Sequence, residues 1–389
     1  MSAAVVVLAY NRPRPLRRLL DSLLRAHYPP GEPVPLVLSI DDAGSAAAAE
    51  TLAIARQLEW PFGRKTVIER LERLGVVGHF RAAGDLSRDY GDLVMLEDDL
   101  VVAPPFYDFA TRVLDVYGGD ERIAGCCLYG LWFNGFTREP FLPVADGSDV
   151  FFLRLPYTQG LCFSARQWAA FAGWSGTDTR GPRPGLHPAF ERFGADEWFP
   201  ALASYLAATG RFFCFPRVSL TVGWGDAGAH FDASTSWFQT PVQLAARRYE
   251  LPRFDDALAV YDGFYELLAD RLAMLAPAVA GRSFDIDLNA TKRRMDLQTD
   301  EVLTTRPVRR AGLSFGLEAY PPELNVIWGV PGHEISLAHR ADVYWDAWAG
   351  TEAERRLHAY HRRRQRPSRR RALRFAVGRL VQALRGWRH

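Results

Sequence analysis

Residues 93–104 have the sequence LVMLEDDLVVAP, and this stretch decides the fold class of the chain. Four apolar residues are followed directly by Glu97, Asp98 and Asp99, a pattern typical of a buried strand that ends in a polar turn. Three adjacent carboxylates raise one another's pKa by repulsion, so a bound cation would stabilise them. Oxygen ligands suit Mg²⁺ or Mn²⁺. We therefore predict a divalent metal at this acidic triplet (Glu97, Asp98 and Asp99); a solvated acidic turn is the alternative.

The chain before the acidic triplet alternates between short apolar runs and helical patterns. Strands are predicted over residues 5–9, 35–40, 66–70 and 93–96, and helices over residues 16–24, 46–58 and 79–89. This alternation predicts an α/β fold with a mostly parallel sheet flanked by helices. Ligands of such sheets bind at the carboxyl ends of the strands. Arg12, Asp41 and the acidic triplet follow three of the predicted strands.

The remainder of the chain is less regular. Residues 122–243 are richer in aromatic residues, glycine and proline, with one clear helix over residues 198–209. Further on we predict a helix over residues 255–275 and short strands near residues 313–317 and 325–328. These changes divide the chain into a first domain over residues 1–245, with halves 1–121 and 122–245, an extension over residues 246–354 and a tail over residues 355–389.

Charge is divided unevenly between the tail and the rest of the chain. Residues 355–389 hold thirteen arginines and no acidic residue, and since the formal net charge of the whole chain is +2, residues 1–354 carry −11. Apolar residues from Leu373 to Trp387 recur on one stripe of a basic helix, which is typical of binding to an anionic membrane surface. Packing on the acidic body or on a partner protein is the alternative, and we expect no nucleic acid ligand.

Composition narrows the class of protein. Hydrophobic residues make up 48% and charged residues 24%, which is ordinary for a globular protein and excludes a disordered chain. No apolar run approaches the roughly 20 residues of a spanning helix, and the N-terminus has no signal pattern. Four irregularly spaced cysteines do not form a disulfide framework. We expect a cytoplasmic protein that is peripheral to the cytoplasmic membrane.

The acidic triplet in its context resembles the metal-binding segment of GT-A glycosyltransferases, and it is close to that of the N-acetylglucosaminyltransferase I family. The chain is also similar to bacterial family 2-like glycosyltransferases. Further segments resemble the first family in the same order, over roughly residues 3–240. These segments are residues 5–12, 39–44, 159–164, 195–198 and 221–231.

The resemblance implies a GT-A fold and a site for a UDP-sugar. Asp99 is implied to be the direct metal ligand, with Glu97 and Asp98 orienting ribose, phosphate or metal-bound water. His230, in a glycine-containing segment, is a second candidate for contact with the metal or the diphosphate. Residues expected to contact the nucleotide lie at or after the ends of the first three strands: Ala9, Tyr10, Asn11, Arg12, Asp41, Gly78 and His79.

Two adjacent acids, Asp196 and Glu197, precede the predicted helix over residues 198–209. Transfer to an acceptor hydroxyl needs a general base, and the N-terminus of a helix favours an ionised carboxylate. By resemblance, Glu197 stands where the family has its catalytic aspartate. Either acid could be the base, or both could simply complement the helix dipole. A single base opposite the leaving group implies inversion at the anomeric carbon.

Together these features predict a metal-dependent, inverting hexosyl- or N-acetylhexosaminyltransferase that uses a UDP-sugar. The acceptor would be a hydroxyl of a glycan or of a lipid-linked glycan. A sugar nucleotidyltransferase is the enzymatic alternative, but the turn at residues 10–13 lacks the glycines expected of its phosphate-binding loop. A protein of this fold that binds glycan or membrane without turnover is the non-enzymatic alternative.

Overall fold

The acidic triplet lies at one edge of a large sheet. A computed structural model describes residues 2–41, 44–174, 183–194, 197–226, 236 and 238–345. The strands are β1 (Ala4–Ala9), β2 (Leu36–Ile40), β3 (Lys65–Glu69), β4 (Leu93–Glu97), β5 (Leu100–Val102), β6 (Ile123–Cys127), β7 (Val150–Leu153), β8 (Leu161–Phe163), β9 (Phe212–Pro216), β10 (Thr221–Gly223), β11 (Val260–Tyr261), β12 (Asp285–Asp287), β13 (Glu301–Thr304), β14 (Leu313–Phe315) and β15 (Ile335–His339).

Helices connect most of these strands. The α-helices are α1 (Pro13–Leu24), α2 (Ala46–Gln57), α3 (Gly75–Gly84), α4 (Ser87–Tyr90), α5 (Phe106–Tyr117), α6 (Ala165–Ala172), α7 (Phe199–Thr209), α8 (Ala269–Leu275) and α9 (Glu323–Ile327). Short 3₁₀ turns occur at Pro188–Arg192, Pro277–Val279 and Arg294–Asp296. Helix α7 ends where the sequence indicated, because Gly210 adopts a left-handed conformation with a φ of 69°.

Nine strands form the main sheet in the order β11-β7-β9-β6-β8-β4-β1-β2-β3. Strands β4, β1, β2 and β3 are parallel neighbours, whereas β8 runs antiparallel to both β4 and β6. Register aligns Leu8 with Glu97 and Ala9 with Ile40, so the carboxyl ends of β1, β2 and β4 meet at one edge. The smaller sheets are a two-stranded ribbon of β10 and β5 and a four-stranded sheet in the order β12-β13-β15-β14.

The main sheet has an apolar core on each face. In β1, Ala4 and Val6 belong to one core and Val5 and Val7 to the other, as alternation along a strand requires. Helix α1 covers the second face with four buried leucines at helical spacing, Leu16, Leu19, Leu20 and Leu23, whereas Leu24, which the same spacing placed on this face, is 37% exposed. The predicted α/β fold, a mostly parallel sheet flanked by helices, is confirmed.

The extension departs from the sequence-based prediction at two places. Residues 255–275 are not one helix: Val260 and Tyr261 form β11, which pairs with β7, and only α8 is helical. Residues 325–328 are not a strand, because Asn325 lies in α9, where its side chain accepts hydrogen bonds from the backbone N–H groups of Glu318 and Ala319. The predicted strand near residues 313–317 is confirmed as β14.

The domain boundaries stay a prediction, although β11, from the predicted extension, adds a strand to the main sheet. Within the described ranges, no helix combines the length and apolarity needed to cross a bilayer. The tail over residues 355–389 lies outside the described residues, and so does the amphipathic helix predicted there.

Candidate active site

Three parallel strands deliver the polar residues of the candidate site to one edge. Glu97 ends β4 and begins the acidic triplet, while Arg12 follows β1 by three residues and Asp41 follows β2 directly. Strand β5 begins immediately after Asp99, so the acidic triplet is held between two strands. The sequence-predicted ligand-binding edge therefore brings together residues that lie up to 87 positions apart in the chain.

Arg12 bridges two of the three carboxylates. Its Nη1 donates to Asp99 Oδ2 at 2.9 Å, and its Nη2 donates to Asp98 Oδ1. Arg12 is the N-cap residue of α1, with no side-chain capping bond, and Pro13 begins the helix. The guanidinium therefore extends across the strand ends to the acids, and a phosphate partner for Arg12 stays a prediction.

Burial and repulsion between like charges raise the pKa values of two carboxylic acids at this edge. Removal from water, together with the charges of Asp99 and Asp98, raises the pKa of Glu97 to about 8. Burial raises the pKa of Asp98 to about 6, although the Arg12 guanidinium works in the opposite direction. Burial alone would lower the pKa of Arg12, but Asp98 and Asp99 outweigh it and raise that pKa. The cluster thus carries more negative charge than one guanidinium neutralises.

The carboxylate oxygens at this edge of the sheet are suitable ligands for a hard divalent cation. Asp99 is the most accessible carboxylate of the Arg12 pair, with 28% of its side chain exposed against 3% for Asp98. In the part of the chain that the structure describes, no three histidine, cysteine or acidic side chains converge as a complete metal cage. Mg²⁺ and Mn²⁺ commonly bind through one or two carboxylates and take their remaining ligands from water and substrate phosphates. The edge matches that pattern.

Asp41 binds the start of α3, and His79 connects this helix to β2. The buried carboxylate of Asp41 accepts hydrogen bonds from the backbone N–H groups of Leu74 at 2.9 Å and Gly75 at 3.1 Å. His79 Nε2 lies 2.8 Å from Ser39 Oγ, and burial lowers the pKa of His79 to about 4. His79 is therefore neutral at physiological pH and packs beneath the site edge. Contact of His79 or Asp41 with a nucleotide stays a prediction.

The other expected nucleotide contacts lie around the end of β1. Ala9 is buried, and its carbonyl accepts a hydrogen bond from the Asp41 N–H at 2.9 Å. The Tyr10 backbone works to lower the pKa of Asp98, and the Arg73 guanidinium lies 5.3 Å from the centroid of the Tyr10 ring. Asn11 is half-buried beside them, and Gly78 is half-buried in α3. Their positions are compatible with the predicted roles without testing them.

The start of α7 reaches the acidic triplet from the other half of the molecule. The Trp198 side chain lies close enough to the Glu97 carboxylate to act against burial and lower the pKa of Glu97, and the Trp198 ring stacks on Phe80 with centroids 4.1 Å apart. Glu197, the residue before Trp198, is half-buried. The structure thus brings the Glu197 position next to the edge, which the sequence alone could not show. Asp196 and His230 lie outside the described residues.

The ribbon of β5 and β10 adds a residue that sequence reasoning missed. Gly223 pairs with Leu100, and the backbone N–H of Trp224 donates to the Asp99 carbonyl at 3.1 Å. Arg18 of α1 forms an ion pair with Asp226, and its guanidinium lies 5.0 Å from the centroid of the Trp224 ring. An aromatic residue after a glycine carries no distinctive sequence signal, so only the pairing of the two strands reveals its place.

Comparison with known proteins finds glycosyltransferases. No family model matches the chain. A curated relative from Arabidopsis thaliana, alpha-1,3-mannosyl-glycoprotein 2-beta-N-acetylglucosaminyltransferase, is 24% identical over 251 residues, which cover 62% of this chain. The match spans about half, 51%, of that relative's length. The resemblance to the N-acetylglucosaminyltransferase I family is therefore confirmed.

Solved structures with partial similarity are also glycosyltransferases. The chain is similar to S. aureus TarS 1-349 in complex with UDP, with 14% identity, a TM-score of 0.38 and coverage of 57% of this chain and 60% of that one. For the mannosyltransferase PcManGT from Pyrobaculum calidifontis, in complex with GDP-Man and Mn²⁺, the values are 16%, 0.35, 55% and 56%. For GalNAc-T7 with UDP, GalNAc and Mn²⁺ they are 14%, 0.40, 56% and 43%.

Proposed function

We propose that the protein transfers a sugar from a UDP-sugar to a hydroxyl of a glycan or of a lipid-linked glycan, with the help of a divalent cation. The observation that carries this proposal is the convergence of Arg12 with the acidic triplet at the carboxyl ends of parallel strands. The curated relative supports the class of reaction. A leaving nucleoside diphosphate needs positive charge, and this edge offers both a guanidinium and the oxygen ligands for a cation.

The residues of the edge divide the binding of the donor between them. Asp99 holds Mn²⁺ or Mg²⁺, and a cation bound there supplies charge that stabilises the leaving diphosphate. Arg12 donates hydrogen bonds to phosphate oxygens, for which a guanidinium is well shaped. The buried carboxylate of Asp98 keeps the Arg12 side chain in place through their hydrogen bond. Glu97 lies beside the Trp198 side chain, which lowers the pKa of Glu97 against the effect of burial.

The acceptor hydroxyl loses its proton to the base at the start of α7. We assign this role to Glu197, with Asp196 as the alternative, because both precede the residue that contacts Glu97. As the acceptor oxygen forms its bond to the anomeric carbon, the bond from that carbon to the diphosphate breaks and the carboxylate takes the proton. Attack from the face opposite the leaving group inverts the anomeric configuration.

A transfer assay with two isosteric variants tests this assignment. The wild-type protein is incubated with UDP-sugars, Mn²⁺ and a panel of glycan and lipid-linked acceptors, and UDP release and product mass are measured. Glu197→Gln should keep wild-type UDP affinity while transfer falls by about 10² to 10⁴-fold. Glu121→Gln, at a side chain that is 73% exposed, is the matched control and should transfer normally.

Two outcomes would contradict the proposal. If Glu197→Gln and Asp196→Asn both transfer sugar at the wild-type rate, neither acid is the general base. No transfer from any nucleotide sugar by the wild-type protein would remove the proposed reaction. The cytoplasmic location stays a prediction. The membrane contact of residues 355–389 also stays a prediction, and binding to anionic vesicles by the full chain and by a chain ending at residue 354 would test it.

A further inference from the structure

Hydrogen bonds hold the backbone of Gly223 and the N–H of Trp224 beside the proposed metal ligand. The Gly223 N–H donates to Gln159 Oε1 at 2.9 Å, and the Gly223 carbonyl accepts from Gln239 Nε2 at 2.9 Å. The next N–H, that of Trp224, donates to the Asp99 carbonyl at 3.1 Å. Trp224 is therefore fixed by a hydrogen bond to the same residue that we assign to the cation.

The indole of Trp224 is exposed although its backbone is fixed. Fifty-three per cent of the residue is accessible. The Arg18 guanidinium lies 5.0 Å from the ring centroid, and the ion pair between Arg18 and Asp226 holds that guanidinium in place. A cation over the face of an indole is a favourable contact that orients the ring. The site therefore presents an oriented aromatic surface, and a ligand that covers this surface removes it from water, which favours binding.

A sugar ring is the ligand that fits this surface under the proposed function. A pyranose has an apolar face of C–H groups and a rim of hydroxyls, so it can cover an indole while its polar groups stay hydrogen-bonded. Ligand sites commonly combine aromatic walls with a few polar or metal groups that fix orientation. Here the polar groups are those of Arg12 and the acidic triplet, on the neighbouring strand ends.

We propose that Trp224 is a stacking platform for a pyranose ring beside Asp99, a role that rests on the function proposed above. The ring belongs either to the donor or to the acceptor, and both use the same stacking chemistry. The platform sets which sugars are accepted, since an axial substituent on the stacked face would separate the ring from the indole.

Binding measurements on Trp224→Ala and Trp224→Phe separate the two sources. UDP and UDP-sugar affinities are measured by calorimetry with Mn²⁺, and the acceptor KM is measured with saturating donor. A donor platform predicts that Trp224→Ala weakens UDP-sugar binding about tenfold and leaves UDP binding within about twofold. An acceptor platform predicts an acceptor KM about tenfold higher with donor binding unchanged. In either case Trp224→Phe should recover part of the loss.

Trp328 provides the matched control. It is 67% exposed and caps the C-terminal end of α9, which packs against α8 in the extension. Trp328→Ala should leave all three constants unchanged. If the wild-type protein transfers sugar and Trp224→Ala leaves all three constants unchanged, the platform is overturned but the proposed function is not. A wild-type protein that binds neither UDP nor any UDP-sugar would overturn both the platform and the proposed function.

Discussion

Replacing Arg12 by glutamine should reveal the electrostatic strain of the acidic triplet. The Asp98 side chain is only 3% exposed, and Arg12 itself is 29% exposed. Removing one partner of a buried ion pair typically costs about 3 to 5 kcal/mol, because the other charge is left without compensation. Arg12 retains some contact with water, so we expect a loss at the lower end, about 3 kcal/mol in unfolding free energy at pH 8 without metal.

The same loss should depend on pH and on metal. Glu97 and Asp98 have raised pKa values, so their ionised forms destabilise the folded protein and protonation relieves the strain. The deficit of Arg12→Gln should therefore shrink as the pH falls from 8 to 5. It should also shrink when Mn²⁺ is added at pH 8, because the cation replaces the missing positive charge.

Chemical denaturation of the wild type and variants, at each pH with Mn²⁺ or EDTA, measures these effects. The control is Arg166→Gln, which removes an ion pair with Glu121 whose partners are 61% and 73% exposed. Exposed pairs contribute at most about 1 kcal/mol, with little dependence on Mn²⁺. Arg12→Gln should lose more unfolding free energy than the control. A loss no larger than that of the control, or a loss that changes with neither pH nor Mn²⁺, would refute the proposed electrostatic role of Arg12.

Three further predictions follow from the same structure. Mn²⁺ should raise the melting temperature more at pH 8 than at pH 6, because protonation of Glu97 (pKa about 8) and Asp98 (pKa about 6) removes negative charge that attracts the cation to Asp99; an equal shift in a thermal-shift assay would contradict this. Burial lowers the pKa of His79 to about 4, so the folded protein favours the neutral imidazole. The contribution of neutral His79 to the free energy of unfolding is complete above pH 6.5, and about 3 kcal/mol of it is lost as the pH falls to 4. Protonation of His79 above pH 6, seen in an NMR titration of its ring, would exclude this. Gly84→Ala places a Cβ 2.1 Å from a buried indole carbon and should cost about 1 to 3 kcal/mol in a urea titration, whereas Gly119→Ala meets no atom within 4 Å and should cost nothing.

The parallel half of the sheet could be predicted because its signals are local. Strands β1, β2 and β4 are short apolar runs that end in polar residues, and α1 carries leucines at helical spacing. The position of the acidic triplet follows from the end of β4. No knowledge of distant residues is needed for any of these features, so the fold class and the convergence of these strand ends could be predicted.

The rest depends on contacts between distant parts of the chain. Val260 and Tyr261 form a strand only because β7 lies beside them, and the sequence pattern there is equally compatible with a helix. The pairing of Arg12 with Asp98 joins residues 86 positions apart, and the approach of Trp198 to Glu97 joins residues 101 positions apart. Contacts between such distant residues leave no periodic pattern in the sequence, so only the folded structure shows which side chains meet.

Calorimetric titration of UDP into the protein, with Mn²⁺ or with EDTA, tests whether a divalent cation at Asp99 is needed for nucleotide binding. The proteins compared are the wild type, Asp99→Ala and the control Asp300→Ala, which removes an exposed ion pair with Arg340 in the extension. We predict that UDP binds the wild type and the control only with Mn²⁺, and that Asp99→Ala loses at least about tenfold in affinity, since a direct metal ligand is removed. UDP binding that is absent from the wild type under both conditions, or unchanged in Asp99→Ala, would contradict the account.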